Sequence, residues 1–220
     1  TDLHSNLLSY DYYADRADPG VGLSRVATLI DRARQEATAR GGATVLLDNG
    51  DALQGAPISE SAATLQREQH PSDSIQMHPL MTAFSVLNYD AIGLGNHDFN
   101  FGLHVLEQVL QNAPCPVVCS NMQSVAPERA LPFVKHVILE RRLDNLPEAP
   151  VLRIGILSVL PPQTMIWDAH LLQGKVWVQD MVQAASSRAA DLRAAGCDLV
   201  VALAHTGLGG KEAVPEMENA

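Results

Sequence analysis

The chain has 220 residues, 46% of them hydrophobic, enough to bury one substantial core without disulfide support. Its formal net charge of −10 opposes a broad phosphate-tracking basic surface and so excludes a long nucleic acid as partner. A small anionic substrate stays compatible with that charge, because bound divalent cations can dominate a local field whatever the net charge.

In chain order, Asp2-Leu3-His4 comes first. Asp2 and His4 alternate with Leu3, so in an extended segment both point to the same side. Apolar residues at helical spacing (Leu23, Val26, Ala27, Leu29, Ile30) predict a helix over 23–40, with Ser24 as its N-cap and Gly41-Gly42 ending it. Residues 43–47 are apolar and β-branched and stop at Asp48 and an Asn49-Gly50-Asp51 turn, which predicts a buried strand followed by a loop. The polar stretch 59–73 reads as a surface helix or loop. Residues 79–87 read as a helix with Pro79 in its first turn.

A second buried strand, 90–94, runs into Gly95-Asn96-His97-Asp98. A helix over 103–111 and a short strand over 116–120 follow. Residues 133–139 and 151–159 read as strands joined by a polar connection, and Pro161-Pro162 stops the second. An Ala-rich helix over 180–195 ends at Gly196 and leads to a last strand, 199–203, just before His205. Crossover helices together with a hairpin-like connection imply mixed sheets covered by helices. No repeat or linker divides the chain, so one domain is expected.

Three cysteines, Cys115, Cys119 and Cys197, are too few and too unevenly spaced for a disulfide scaffold or zinc knuckle and read as core thiols. His70, His78, His104, His136 and His170 read as surface or helix residues, Trp167 and Trp177 as packing residues, and Asn121 as a turn residue. No apolar segment is long enough to span a bilayer, and neither a signal peptide nor an initiator Met is visible, so an excised or processed product is expected.

The residues at the strand ends carry the chemistry. In α/β domains the carboxyl ends of strands form a common rim where residues distant in sequence converge. Hydrolysis of a phosphate ester needs a water made nucleophilic and phosphoryl charge screened. Two divalent cations about 3.5–4 Å apart meet both needs. Asp51, a carboxylate in a tight turn, suits a bridge between them. Asp2 and His4 then serve one ion, while Asn96 with its amide oxygen and His205 with its imidazole serve the other. His97 faces the substrate, as a general acid or as a donor to the phosphoryl oxygens.

Asp2-Leu3-His4-Ser5-Asn6, Asn49-Gly50-Asp51, Gly95-Asn96-His97-Asp98 and His205-Thr206-Gly207 resemble, in order and spacing, the calcineurin-like metallophosphoesterases of the nucleotidase branch. The stretch from Leu160 to Asp168, with Gly174-Lys175-Val176, is most similar to the bacterial enzymes of that branch acting on 2',3'-cyclic nucleotides and 3'-nucleotides. This resemblance implies a four-layer α/β/β/α sandwich with two mixed sheets. It also implies two divalent metals (Mn, Zn, Fe or Co) with Asp51 bridging, Asp2 and His4 on one ion, Asn96 and His205 on the other, and His97 catalytic. A small nucleotide substrate, no membrane span and a periplasmic address follow from it as well.

Three departures from the family pattern stand out. Ser5 replaces the usual Gly after the first His. Asn100 occupies the position where true 5'-nucleotidases carry the Asp that orients the catalytic His. That favours the cyclic-phosphodiesterase branch and leaves Asp98 as a candidate for the orienting role. The family's later Gly-His-x-His motif has no counterpart before Ala220, so residues 1–220 are expected to be a partial N-terminal catalytic domain lacking its nucleotide-binding C-terminal partner. The alternatives are a 5'-nucleotidase or UDP-sugar hydrolase, or a truncated module without catalysis.

Overall fold

The computed structural model describes residues 1–68, 77–143, 148 and 151–208. In chain order the elements are β1 (Tyr10–Asp11), β2 (Arg16–Ala17), α1 (Leu23–Ala39), β3 (Leu47–Asp48), α2 (Pro57–Glu68), α3 (Pro79–Val86), β4 (Ala91–Gly93), α4 (Leu103–Leu110), β5 (Val117–Val118), β6 (Met122–Ser124), β7 (His136–Arg141), β8 (Leu152–Val159), α5 (Thr164–Trp167), α6 (Ala169–Leu172), β9 (Val176–Val178), α7 (Met181–Ala194) and β10 (Leu199–Ala204).

Two sheets form the centre. One has the order β3-β4-β5, parallel throughout, and the other the order β10-β8-β7, with β8 parallel to β10 and antiparallel to β7. The expected mixed pairing is found in the second sheet. The described strands of the first are all parallel because helices cross over between them: α2 and α3 between β3 and β4, and α4 between β4 and β5. Ala91 and Val118 of the first sheet pack against Ile154, Ile156 and Leu203 of the second. On the other face of β8, Leu157 and Val159 meet Met181, Ala184 and Leu192 of α7. The period-two alternation along β8 thus sends even-numbered residues into the sheet–sheet interface and odd-numbered ones under a helix. On the outer face of the first sheet Leu23, Ala63, Leu80, Phe84 and Leu106 from α1 to α4 cover Ile92 and Val117. The layers are therefore α/β/β/α.

Local differences from the sequence expectations have identifiable causes. Ser24 does not cap α1. Gly22 stands at the N-cap with φ 102° and no side-chain bond, and Ser24 N donates to Leu7 O. α2 is not merely a surface helix, since Ser59, Ala62, Ala63 and Gln66 are buried. The strand expected over 133–139 starts three residues later. Val134 pairs with Val118 on the edge of the first sheet before the chain crosses to the second at His136. One apolar run serves both sheets, and periodicity cannot see the crossing.

His78 is buried and caps α3, its Nδ1 accepting the Leu80 N–H at 3.2 Å. Asn121 is fully buried rather than a plain turn residue. Its Nδ2 donates to Leu160 O and Gln179 O, and its Oδ1 accepts from Leu160 N. Cys119 is buried, Cys115 and Cys197 are half-buried, and all three are free thiols. Trp167 and Trp177 are partly exposed rather than packed away. The β1–β2 hairpin and the β6–β9 ribbon carried no signal strong enough to be read from the sequence. Residues 69–73 of the polar stretch, His70 among them, and most of the connection before β8 lie outside the described residues. No helix among the described residues is long and apolar enough to cross a membrane.

Candidate metal and catalytic site

The carboxyl ends of β3, β4 and β10 come together on one rim. β3 delivers Asn49, Gly50 and Asp51; β4 delivers Gly95, Asn96 and His97; β10 delivers His205, whose N–H is held by Val159 O at the end of β8. The first residues join the rim by pairing with the β3 loop: Asp2 N donates to Gly50 O, His4 N to Asp51 O and Ser5 N to Ala52 O.

That segment is not extended. Asp2, His4, Ser5 and Asp51 all have left-handed backbones, with φ of 53°, 47°, 55° and 54°. Such conformations cost a non-glycine residue roughly 1–3 kcal/mol and persist only where surrounding contacts impose them. Asp2 and His4 therefore do not share a side through strand alternation, as the sequence had led one to expect. Their placement comes from the backbone bonds to residues 50–52.

Donor atoms of Asp2, Asp51 and His205 lie within 4.8 Å of one another, a group able to hold a metal ion. Asp51 is its centre. Its Oδ1 accepts the His97 backbone N–H at 2.7 Å, and its Oδ2 lies 3.1 Å from His205 Nε2. The sequence paired Asp2 with His4, but His4 falls outside this group of three, and its ring stands 5.3 Å from the His97 ring, centroid to centroid.

The donor chemistry fits cations. His4 Nδ1 bonds Gln54 O at 2.6 Å and His205 Nδ1 bonds Asn49 O at 2.9 Å. A carbonyl can only accept, so each Nδ1 carries a proton and Nε2 is the ring nitrogen left to face a cation, the usual arrangement for metal-ligating histidines; in His205 that Nε2 donates to Asp51 and would shed its proton when a cation binds. Asn96 is buried and its Oδ1 has no hydrogen-bond partner, a costly state for an amide oxygen unless a cation faces it. Burial pulls His205 toward neutrality, but its hydrogen bond and charge interaction with Asp51 outweigh that and lift it to about 9. For Asp51 burial works upward, and the same His205 contact holds the carboxyl below the usual range.

Asp98 has a different role from the one expected of it. Its buried carboxylate accepts four backbone N–H groups, from Asp51, Ala52, Leu53 and Gly95, at 2.8–3.0 Å. It clamps the β3 loop to the β4 loop and makes no hydrogen bond to the His97 ring. Burial pushes its carboxyl up to about 6, while the N–H donors favour the ionised form. The partner of His97 is Asn100, whose Oδ1 lies 2.6 Å from His97 Nδ1. Asn100 Nδ2 in turn reaches both oxygens of Asp168, at 3.0 and 3.1 Å. Burial raises the Asp168 carboxyl, against the Asn100 bond. Asp168 lay within the family-like stretch of the sequence, but nothing in its local pattern marked it as a site residue.

No family model matches the sequence. The chain is 37% identical over 209 residues to the trifunctional nucleotide phosphoesterase protein YfkN of Bacillus subtilis, covering 94% of this chain and 14% of that protein. It is 39% identical over 209 residues to the 2',3'-cyclic-nucleotide 2'-phosphodiesterase/3'-nucleotidase of Salmonella typhimurium, covering 94% of this chain and 31% of that one. The chain thus spans less than a third of these relatives. Among solved structures, the calcineurin-like phosphoesterase YfkN from Bacillus subtilis superposes with a TM-score of 0.86 at 35% identity, covering 99% of this chain and 64% of that one. A putative 5'-nucleotidase from Staphylococcus aureus shares the fold, with a TM-score of 0.73 at 20% identity over 94% of this chain and 36% of the other.

Proposed function

We propose that this chain, which belongs to the calcineurin-like phosphoesterases, carries the catalytic site of a metal-dependent hydrolase of nucleotide phosphate esters, opening 2',3'-cyclic nucleotides to 3'-nucleotides and cleaving these to nucleosides. The observation that carries the reading is the convergence of Asp2, Asp51 and His205 at one point, with the His97 backbone hung on Asp51. In this reading Asp2, His4, Asp51, Asn96 and His205 would hold two divalent cations, with Asp51 the carboxylate available to both. Bound there, the cations supply a lowered pKa for a water and screening of the phosphoryl oxygens.

The chain's own residues do the rest. The two Nδ1 bonds to main-chain carbonyls fix which nitrogen of His4 and His205 is available to a cation, with His205 giving up its Nε2 proton when one binds. The Asp98 clamp fixes the two loops relative to each other, and with them the distance from Asp51 to His97. Water adds its oxygen to phosphorus as the bond to the 2'-oxygen breaks. With Nδ1–H engaged by Asn100, the doubly protonated ring of His97 gives its Nε2 proton to that departing oxygen, and the proton shed by the attacking water restores it. A 3'-monoester is the product, and a second passage releases the nucleoside and phosphate. A periplasmic address belongs to the same reading.

Assay of the intact natural protein with 2',3'-cyclic AMP, 3'-AMP and 5'-AMP tests it. Cyclic AMP is expected to pass through 3'-AMP to adenosine, with 5'-AMP spared and all turnover lost to a chelator. His97→Ala is expected to lower turnover about 10²–10⁴-fold while metal content stays unchanged. Cleavage of 5'-AMP in preference would move the assignment to the 5'-nucleotidases, and chelator-resistant turnover would end it.

A further inference from the structure

Asp168 stands at the N-cap position of the short helix α6, where an Asp side chain ordinarily accepts a helix N–H, yet it makes no such bond. At α7 the equivalent residue, Asp180, does cap, taking the Gln183 N–H at 2.8 Å. The Asp168 side chain instead turns toward the loop after β4, and the residue is buried at 6% exposure with the Asn100 amide between its carboxylate and His97. A forgone cap and a buried carboxylate need a compensating task.

Donor and acceptor logic supplies one. An ionised carboxylate only accepts, so the face of Asn100 toward Asp168 must be its NH₂ group. The amide oxygen is thereby committed to the opposite side, against His97 Nδ1. An amide oxygen also only accepts, so Nδ1 carries a proton in either charge state of the ring, and Nε2 is the nitrogen whose proton comes and goes. Were Asp168 absent, the Asn100 amide could rotate half a turn and present NH₂ to Nδ1, stabilising the other tautomer and a different ring setting.

We propose that Asp168 is a positioning residue for the reaction: through Asn100 it sets the tautomer and orientation of His97, so that the chain His97–Asn100–Asp168 takes the place of a direct His–Asp pair. This rests on the reading of His97 as the proton donor to the leaving oxygen. It also gives the α5–α6 segment, more than sixty residues from His97 in sequence, a direct bearing on the reaction.

The test uses the intact natural protein with its metals, 2',3'-cyclic AMP as substrate, and nitrogen-15 NMR of the His97 ring. In the wild type the neutral ring is expected to be the Nδ1–H tautomer. Asp168→Ala is expected to mix the tautomers and lower kcat about ten- to a hundredfold with KM within about twofold. The exchanged pair Asn100→Asp with Asp168→Asn restores an acceptor against His97 and a donor behind it, and is expected to return kcat to within about threefold of wild type. A purely structural docking bond predicts no such rescue in kcat and no change of tautomer. An unchanged ring and kcat in Asp168→Ala, or an exchanged pair no better than Asp168→Ala, would overturn the proposal. A tautomer change with kcat intact would uphold the link from Asp168 to His97 while removing His97 from the chemistry.

Discussion

Gly95 shapes the site by lacking a side chain. A Cβ there would come within 2.3 Å of Asp51 Oδ1 and 2.7 Å of both Asp51 N and His205 Cε1. Gly95→Ala must therefore push apart the β3 loop and His205. A stability loss of about 1–3 kcal/mol is expected in denaturant melts, together with a clear fall in bound metal by elemental analysis; full metal content would show that these residues do not form the site. At this scale the sequence revealed most of the polar residues, because Asp, Asn and His abruptly ending apolar strands have few structural uses in such number. It did not reveal their division of labour. Asp98 and Asn100 sit in one short turn, and only coordinates show that the carboxylate faces four backbone N–H groups while the amide faces His97. Asp168 was hidden for a related reason, since an Asp ahead of a short helix looks like a cap.

Among the elements, α3 makes the sharpest case. Its cap is His78, held neutral because burial drives its pKa down to about 4. The unfolded chain protonates this residue near its ordinary value of about 6.5, so between those limits the unfolded state binds more protons and stability falls as pH is lowered. The loss approaches about 3 kcal/mol by pH 4 for a shift of that size. His78→Asn keeps an acceptor at the cap without a titrating ring. Urea midpoints measured from pH 7 to pH 4 are expected to fall less steeply for the variant; identical slopes would place the pH sensitivity elsewhere. The long periodic helices and the strands β8 and β10 were legible because their pattern is repeated over several residues, whereas of the strand expected over 43–47 only Leu47 pairs, in the two-residue β3. β1 and β2 have two residues each and no repeat to read. In α1 the helix entry is set by the left-handed Gly22 rather than by Ser24, a choice governed by the contact of Leu23 and Ser24 with the Asn6–Leu7 backbone.

For the whole molecule, the α/β/β/α layering does one thing for function: it brings the carboxyl ends of strands from two different sheets to a single rim. β3 and β4 come from one sheet and β10 from the other, and the sheets meet through Ala91, Val118, Ile154, Ile156 and Leu203. Helices layered on mixed sheets were legible from alternating strands and helices, while the four-layer order was implied only by the family resemblance. That residues 133–139 straddle both sheets was not legible, because a crossing between sheets leaves the apolar pattern unbroken. Function in this protein turns on Asp2, His4, Asp51, Asn96 and His205 together holding two divalent cations, as proposed above. Anomalous difference maps from crystals of the intact protein loaded with Mn²⁺ test it directly. Two peaks roughly 3.5–4 Å apart, both within coordination reach of Asp51, are expected. Maps without a peak in coordination reach of Asp51, or with peaks held by other residues, would contradict it.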